Sequence, residues 1–197
     1  MSDATPATFE RNIWQTLDEA AKTPGHAMRW ATLGYQDKTS SPVLKTVMLR
    51  GLDLAARRLR FYTDARSNKV ASLSEPITAR ASLLFVDLAE NIQLSVRGSV
   101  IVHKPGSVVS TNKFQSLSSR QQQDYATIKA PGSLSASPQL GDQRDVDLAA
   151  ENFAVIDITV DDLDLVILGA PTIRIGGSYQ RRDNQAEASF SGQWLVP

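Results

Sequence analysis

Apolar residues along the chain begin at helical spacing and then shift to strand-like alternation. Phe9, Ile13 and Leu17 recur at helical spacing, with Ala20 and Ala21 closing the same face. Thr5 is placed to cap that helix, Pro6 suits its first position, and Thr23-Pro24-Gly25 stops it. From Ala27 the pattern predicts strands at Ala27–Tyr35, Val43–Leu52, Arg58–Thr63, Ile77–Val86 and Asn91–Val102. In the second strand Lys45, Val47 and Leu49 share one face, and Leu44, Thr46, Met48 and Arg50 the other. The short Gly51–Arg57 connection makes the second and third strands an antiparallel pair. Ser67–Glu75 predicts a short helix ended by Pro76, and the run Ser82-Leu83-Leu84-Phe85-Val86 predicts a strand buried on both faces. In the fifth strand Ile92, Leu94 and Val96 alternate with Gln93, Ser95 and Arg97.

Residues 105–152 differ in character, being rich in Ser, Gln, Gly and Pro, with weak helical patterning at Val108–Leu117 and Asp145–Asn152. Lys129–Asp142 reads as an ordered lid or a mobile loop, and a loop of that length in a compact domain is more often functional than idle. Strand patterning resumes at Phe153–Val160, Leu163–Leu168, Thr172–Gln180 and Ala186–Val196. The expectation is one domain over residues 1–197, with an N-terminal helix in 1–25 and a helical or loop excursion in 105–152. Many antiparallel strands with few helices predict a mainly β fold, a closed barrel with peripheral helices, rather than a doubly wound sheet. There is no GxGxxG after the first strand and no GxxxxGK[ST], which disfavours Rossmann and P-loop nucleotide sites.

Composition narrows the chemistry. With 21 basic and 21 acidic residues the net charge is zero, so neither nucleic acid nor an anionic membrane is an expected main partner. The absence of cysteine excludes disulfides and thiolate chemistry. His26 and His103 lack the spacing of a metal pair and are expected to be ordinary loop or surface residues; no metal site is expected. The opening MSDATPATFE has no signal-peptide pattern and no stretch reaches the length of a membrane span, so a soluble cytoplasmic protein is expected. Trp14, Trp30 and Trp194 are expected in the core or an interface, Asp161, Asp162 and Asp164 as a solvated turn, and Arg181-Arg182-Asp183 as a charged hairpin.

The segment Phe61-Tyr62-Thr63-Asp64-Ala65-Arg66-Ser67-Asn68-Lys69 holds the best candidate chemistry. A strand ends, a polar turn follows and a helix begins, where free N–H groups favour an anion. Ser67 adds a hydroxyl, Arg66 and Lys69 add charge, and Lys45 and Arg50 from the neighbouring strand could converge there. The same residues fit a helix capped by Ser67 with solvated cations equally well.

Taken together, KTVMLRGLD, LRFYTDARSNK, a Pro, an apolar strand and NIQLSVRG resemble the pyridoxamine 5'-phosphate oxidase family of FMN-binding split barrels, over roughly residues 27–104. The resemblance implies an antiparallel Greek-key split β-barrel that binds FMN at a homodimer interface. It implies that Lys45 binds the FMN phosphate in place of the family's Arg, and that Ser67, Asn68 and Lys69 hold it too, with Asn68 replacing a frequent Arg. It further implies that Val47 and Met48 offer backbone groups to the flavin ring, that Arg50 lies near ring or substrate, and that Tyr62 and Thr63 border the ring. Gln93 would reach the flavin from the second subunit; by alternation alone it is an exposed strand residue.

The family's substrate residues are mostly missing. Phe114 stands where the oxidases have a substrate-binding Tyr, Arg120 is out of register for their Arg, and Val166, Thr172-Ile173-Arg174 and Gly176 replace their Trp and R-x-H motif. Tyr179-Gln180-Arg181 and Trp194-Leu195-Val196-Pro197 resemble the family's closing strands. The implied activity is an FMN-dependent oxidoreductase acting on an unidentified small molecule, with no catalytic residue assigned and the flavin itself taking the hydride. A non-catalytic flavin-binding or sequestering protein and a split barrel for a deazaflavin or haem are the alternatives.

Overall fold

The computed structural model describes residues 4–74, 79–181 and 188–197. Its elements are α1 (Pro6–Lys22), β1 (Trp30–Gln36), β2 (Pro42–Asp53), β3 (Arg58–Asp64), α2 (Asn68–Leu73), β4 (Arg80–Asp87) and β5 (Ile92–His103). The excursion carries α3 (Val108–Gln115), α4 (Ser119–Gln123), α5 (Pro138–Gly141) and α6 (Ala149–Asn152). The chain closes with β6 (Phe153–Ile167), β7 (Ile173–Gln180) and β8 (Ser189–Trp194). Two compact units result. A barrel unit comprises Met1–Phe61, Arg80–Val100 and Ile158–Pro197, and a helical unit comprises Tyr62–Ala79 and Ile101–Asp157.

In the barrel unit the strand order is β3-β2-β1-β4-β5-β6-β7-β8, and an added β3–β6 pairing closes the first six strands. The pairs β1–β2, β1–β4, β2–β3, β4–β5, β6–β7 and β7–β8 are antiparallel. Alternation decides what points inward: Leu33, Leu49, Leu59, Phe61, Leu83, Phe85, Leu94 and Val96 are all nearly inaccessible. The Ser82–Val86 run is not buried on both faces as expected; Leu83 and Phe85 are covered, Leu84 is half-covered and Val86 is exposed. Apolar content alone had hidden an ordinary two-faced strand.

Helix α1 has the expected cap, Thr8 N–H donating to Thr5 Oγ1 at 3.2 Å. Trp14 is fully buried; its Nε1 donates to Tyr179 OH at 2.7 Å, and Tyr179 OH donates to Glu10 Oε1 at 2.8 Å. The Arg57 guanidinium completes the cluster, ion-paired to Glu10 at 3.0 Å and 5.2 Å from the Trp14 ring centre. Ala27–Arg29 is a 3-10 turn rather than the opening of β1, because His26 Nδ1 accepts the Met28 N–H at 3.1 Å and caps it.

Strand β6 is continuous where two strands with a solvated turn were expected. The turn reading of the Asp161, Asp162 and Asp164 cluster is therefore corrected. Asp161 pairs with Arg80 and Arg181, both at 3.0 Å, and Asp164 with Arg174 at 2.8 Å. Salt-bridged carboxylates are tolerated on the outer face of a strand, so three acidic residues in four positions do not break it. Of the expected charged hairpin, Arg182 and Asp183 lie outside the described residues, as do Glu75, Pro76, Ile77 and Thr78 around the expected end of α2.

The helical unit is centred on Phe153. The rings of Tyr125, Tyr62 and Phe114 lie 4.8, 5.1 and 5.5 Å from it, with Ala126, Ala149 and Val155 filling the gaps. His103, expected to be an ordinary surface residue, has its Nε2 3.2 Å from Asp157, which is 1% exposed.

Candidate functional site

The candidate residues fall into two sets, one in each unit. In the helical unit β3 ends at Asp64 and α2 starts at Asn68. Between them the Asp64 side chain organises the turn: Arg66 N–H donates to its Oδ1 at 2.8 Å, and Ser67 N–H to the Asp64 carbonyl at 3.1 Å. Thr63 and Ser67 are buried and their hydroxyl oxygens lie 3.5 Å apart. Lys69 Nζ donates to Thr63 Oγ1 at 2.7 Å. Two hydroxyls and an ammonium thus share one hydrogen-bonded patch. Ser67 makes no side-chain capping bond to α2, which sets aside the simple capping role for its hydroxyl. Asn68 is exposed on the first turn, and Tyr62 places its ring edge-on against Phe153.

Arg66 does not add free charge to this patch. Its Nε and Nη2 donate to Asp64 at 3.1 and 2.7 Å, so the pair is electrically neutral, and that bonding raises the guanidinium above its ordinary value. Its remaining donors reach the carbonyls of Thr127, Ile128 and Lys129. By sequence Arg66 adds a cation to the turn, and the Asp64-x-Arg66 spacing is the one local sign that the charge is paired.

In the barrel unit β2 distributes Lys45, Val47, Met48 and Arg50 over both faces, as alternation predicts. Val47 points inward and is buried opposite Ala31. Lys45 shares that face, opposite Leu33, and is exposed. Met48 and Arg50 face outward and are half-buried, Met48 opposite Trp30. Gln93 faces outward on β5, opposite Val86. The β1–β4 register, Thr32 opposite Leu84, puts Trp30 and Val86 on this same outward face. Met48 and Gln93 therefore both point outward from the barrel but stand three strand spacings apart, roughly 14 Å along the sheet. A shallow hollow of about 880 Å³ continues along it past Thr32, Gly34, Leu84, Ser95 and Arg97.

Phe114 is packed into the Phe153 cluster, Arg120 lies on α4, and Arg174 is held by Asp164. Among the described residues no group of three His, Cys, Asp or Glu could hold a metal ion, and no helix is long and apolar enough to cross a membrane.

A family model described as pyridoxamine 5'-phosphate oxidase, FMN-binding domain, matches residues 6–104, half of the chain. Among solved structures, a pyridoxamine 5'-phosphate oxidase-related, FMN-binding protein from Nostoc punctiforme is 19% identical with a TM-score of 0.75, and each chain is covered completely. PhzG from Burkholderia lata, in complex with tetrahydrophenazine-1-carboxylic acid, is 11% identical with a TM-score of 0.69, covering 100% of this chain and 95% of that one. A Clostridium acetobutylicum protein related to general stress protein 26 reaches a TM-score of 0.54 at 13% identity, over 87% of this chain and 95% of that one. At these identities the structural likeness shows the fold alone. No curated protein matches the chain.

Proposed function

The chain belongs to the pyridoxamine 5'-phosphate oxidase family of FMN-binding split-barrel domains, and on that premise we propose that it binds FMN and serves as an FMN-dependent oxidoreductase. The observation that carries this is the Thr63–Ser67–Lys69 patch, inside the matched segment: two residues with buried hydroxyls and an ammonium, linked through Thr63. Such a donor set suits a phosphate group, which offers three strong acceptor oxygens and nearly two negative charges. Lys45 supplies a second cation and Asn68 a neutral donor.

Bound flavin would supply the two-electron chemistry, and the protein would bind and orient it. Val47 and Met48 are the residues assigned to the ring through their backbone, with Arg50, Tyr62 and Thr63 beside it. We assign Gln93 to a flavin held mainly by a second copy of the chain. Its separation from Met48 by three strand spacings supports this, since one ring does not readily span that distance within a protomer. The outward face of β1, β2, β4 and β5 is accordingly assigned to the homodimer.

The test is mass spectrometry of the small molecule released on denaturation, with absorbance of the intact protein. FMN in near-equimolar yield, or its uptake on reconstitution, is the expected result; colourless protein that refuses FMN removes the proposal. Release of a deazaflavin or haem would keep the barrel and change the cofactor.

One observation favours a second reading, a flavin-binding protein without oxidase activity. The Phe114 ring is committed to the core at 5.5 Å from Phe153 and Arg174 is committed to Asp164. A substrate phosphate therefore finds neither a tyrosine hydroxyl nor a free guanidinium at those places. Bound flavin that no nicotinamide donor reduces and no amine turns over would decide for this reading.

A further inference from the structure

We propose that Arg66 is a positioning residue: it pins the 125–129 segment to the Asp64–Ser67 turn and thereby fixes Ser67 and Lys69 for phosphate recognition. The proposal rests on the assignment of the Thr63–Ser67–Lys69 patch to the flavin phosphate. Arg66 does not touch the phosphate in this scheme; its charge is already taken by Asp64.

The geometry is a single guanidinium bridging two stretches of chain more than sixty residues apart. On one side Nε and Nη2 bond both carboxylate oxygens of Asp64 at 3.1 and 2.7 Å. On the other, Nη1 donates to the Ile128 carbonyl at 2.9 Å, while Nη2 donates to the Thr127 carbonyl at 2.9 Å, Thr127 Oγ1 at 3.2 Å and the Lys129 carbonyl at 3.3 Å. Only a planar fork can serve a carboxylate edge and a fan of carbonyls together; a lysine ammonium cannot.

Asn152 fastens the same place from a third direction. Its carbonyl accepts the Ala65 N–H at 2.6 Å, and its Nδ2 donates to the carbonyls of Tyr125 at 2.8 Å and Thr127 at 3.2 Å. The segment is braced behind by Ile128 N–H to Gln143 O at 2.9 Å and Asp145 N–H to Ala126 O at 2.8 Å. The turn thus has two anchors outside itself, both in the helical unit. Ser67 follows Arg66 directly and Lys69 lies three residues on. Removing the fork takes its donor from the Ile128 and Lys129 carbonyls, leaves the Thr127 carbonyl to Asn152 alone and leaves Asp64 without its counter-ion, so turn and segment loosen together.

The test compares FMN with riboflavin, which lacks the phosphate, in wild type and Arg66→Ala. The expected result is a fall of at least about ten-fold in the FMN-to-riboflavin affinity ratio, with riboflavin affinity held within about two-fold. Hydrogen exchange at 125–129 in the ligand-free variant is expected to quicken. Arg66→Lys keeps the charge and most of the stem, serves as the better-folding variant, and is expected to lose the ratio as well. A wild-type ratio in either variant, or unchanged exchange at 125–129, overturns the proposal while leaving flavin binding intact. Wild-type protein that binds FMN no better than riboflavin overturns the phosphate assignment itself, and the positioning role with it.

Discussion

Lys69 folds back on the strand that precedes its helix, its ammonium donating to the Thr63 hydroxyl across 2.7 Å. A lysine at this point could extend into solvent; held back, it presents its charge beside two buried hydroxyls. Removing it takes away a charge-assisted hydrogen bond to a phosphate, worth about 1.5–3 kcal/mol, or roughly ten- to a hundred-fold in affinity. Lys69→Ala is therefore expected to weaken FMN binding by that factor and leave riboflavin binding nearly unchanged, as read by fluorescence titration. Lys45→Ala added to it is expected to weaken FMN binding further. Unchanged FMN affinity in the double variant would falsify the assignment of both lysines.

The buried Tyr179 hydroxyl gives the barrel unit a pH dependence. Burial first, and then the Glu10 carboxylate, raise its pKa above the ordinary 10.0. The native state keeps a proton that the unfolded chain loses there, so the contribution is complete below 10.0 and falls as pH rises above it. The slope from this one group is about 1.4 kcal/mol per pH unit. Tyr179→Phe removes that slope. It also strips Trp14 Nε1 of its acceptor and Glu10 of a donor, costing about 1–3 kcal/mol at neutral pH. Urea melts of both proteins at about pH 8 and about pH 11 are expected to converge toward the alkaline end; parallel curves would remove the tyrosine from the account.

Gly98 is the glycine that ends the NIQLSVRG stretch, and its reason is steric. A Cβ there would collide with the backbone carbonyl of Thr159 on β6, and its φ is not in the left-handed region. What β5 needs at this position is the absence of a side chain, because β6 packs directly against it. Gly98→Ala is expected to cost about 1–3 kcal/mol, the usual penalty for overpacking, and to lower the denaturation midpoint. Gly51, with open space around its missing Cβ, is the control, and Gly51→Ala is expected to fall well short of that cost.

Much of the barrel was legible because period-two alternation states both the strand and its inward face. Lys45, Val47 and Leu49 do share a face opposite Leu44, Thr46, Met48 and Arg50, and Gln93 does stand outward from Leu94. What escaped was set by contacts distant in sequence. The continuity of β6 through Asp161, Asp162 and Asp164 depends on Arg80, Arg174 and Arg181, which alternation within one strand does not reveal. Arg66 looked like a cation available to a ligand because neither Asp64's role nor the approach of residues 127–129 can be read from local pattern. The short helix α4 went unseen because it has no buried residue to give it a period, only the reciprocal Ser118–Gln121 capping box.

The outward placement of Met48 and Gln93, three strands apart on the barrel, leads to a test of the dimer that requires no structure of it. If each flavin takes its phosphate grip from one protomer and Gln93 from the other, neither Lys69→Ala nor Gln93→Ala homodimers contain an intact site. In a mixed dimer one site carries both changes, and the other carries neither. Unfolding and refolding the two variants together at equal amounts gives mixed dimers for about half of the population, and so about one intact site in four, by the symmetry of a two-fold assembly. The expected titration is biphasic, with roughly a quarter of the sites at wild-type FMN affinity, while each variant refolded alone shows none. If native mass spectrometry finds the mixed dimers and the tight phase is missing, Gln93 serves the flavin of its own protomer; wild-type affinity in Gln93→Ala refolded alone means that it serves none. A monomer with FMN bound would remove the second copy from the site altogether.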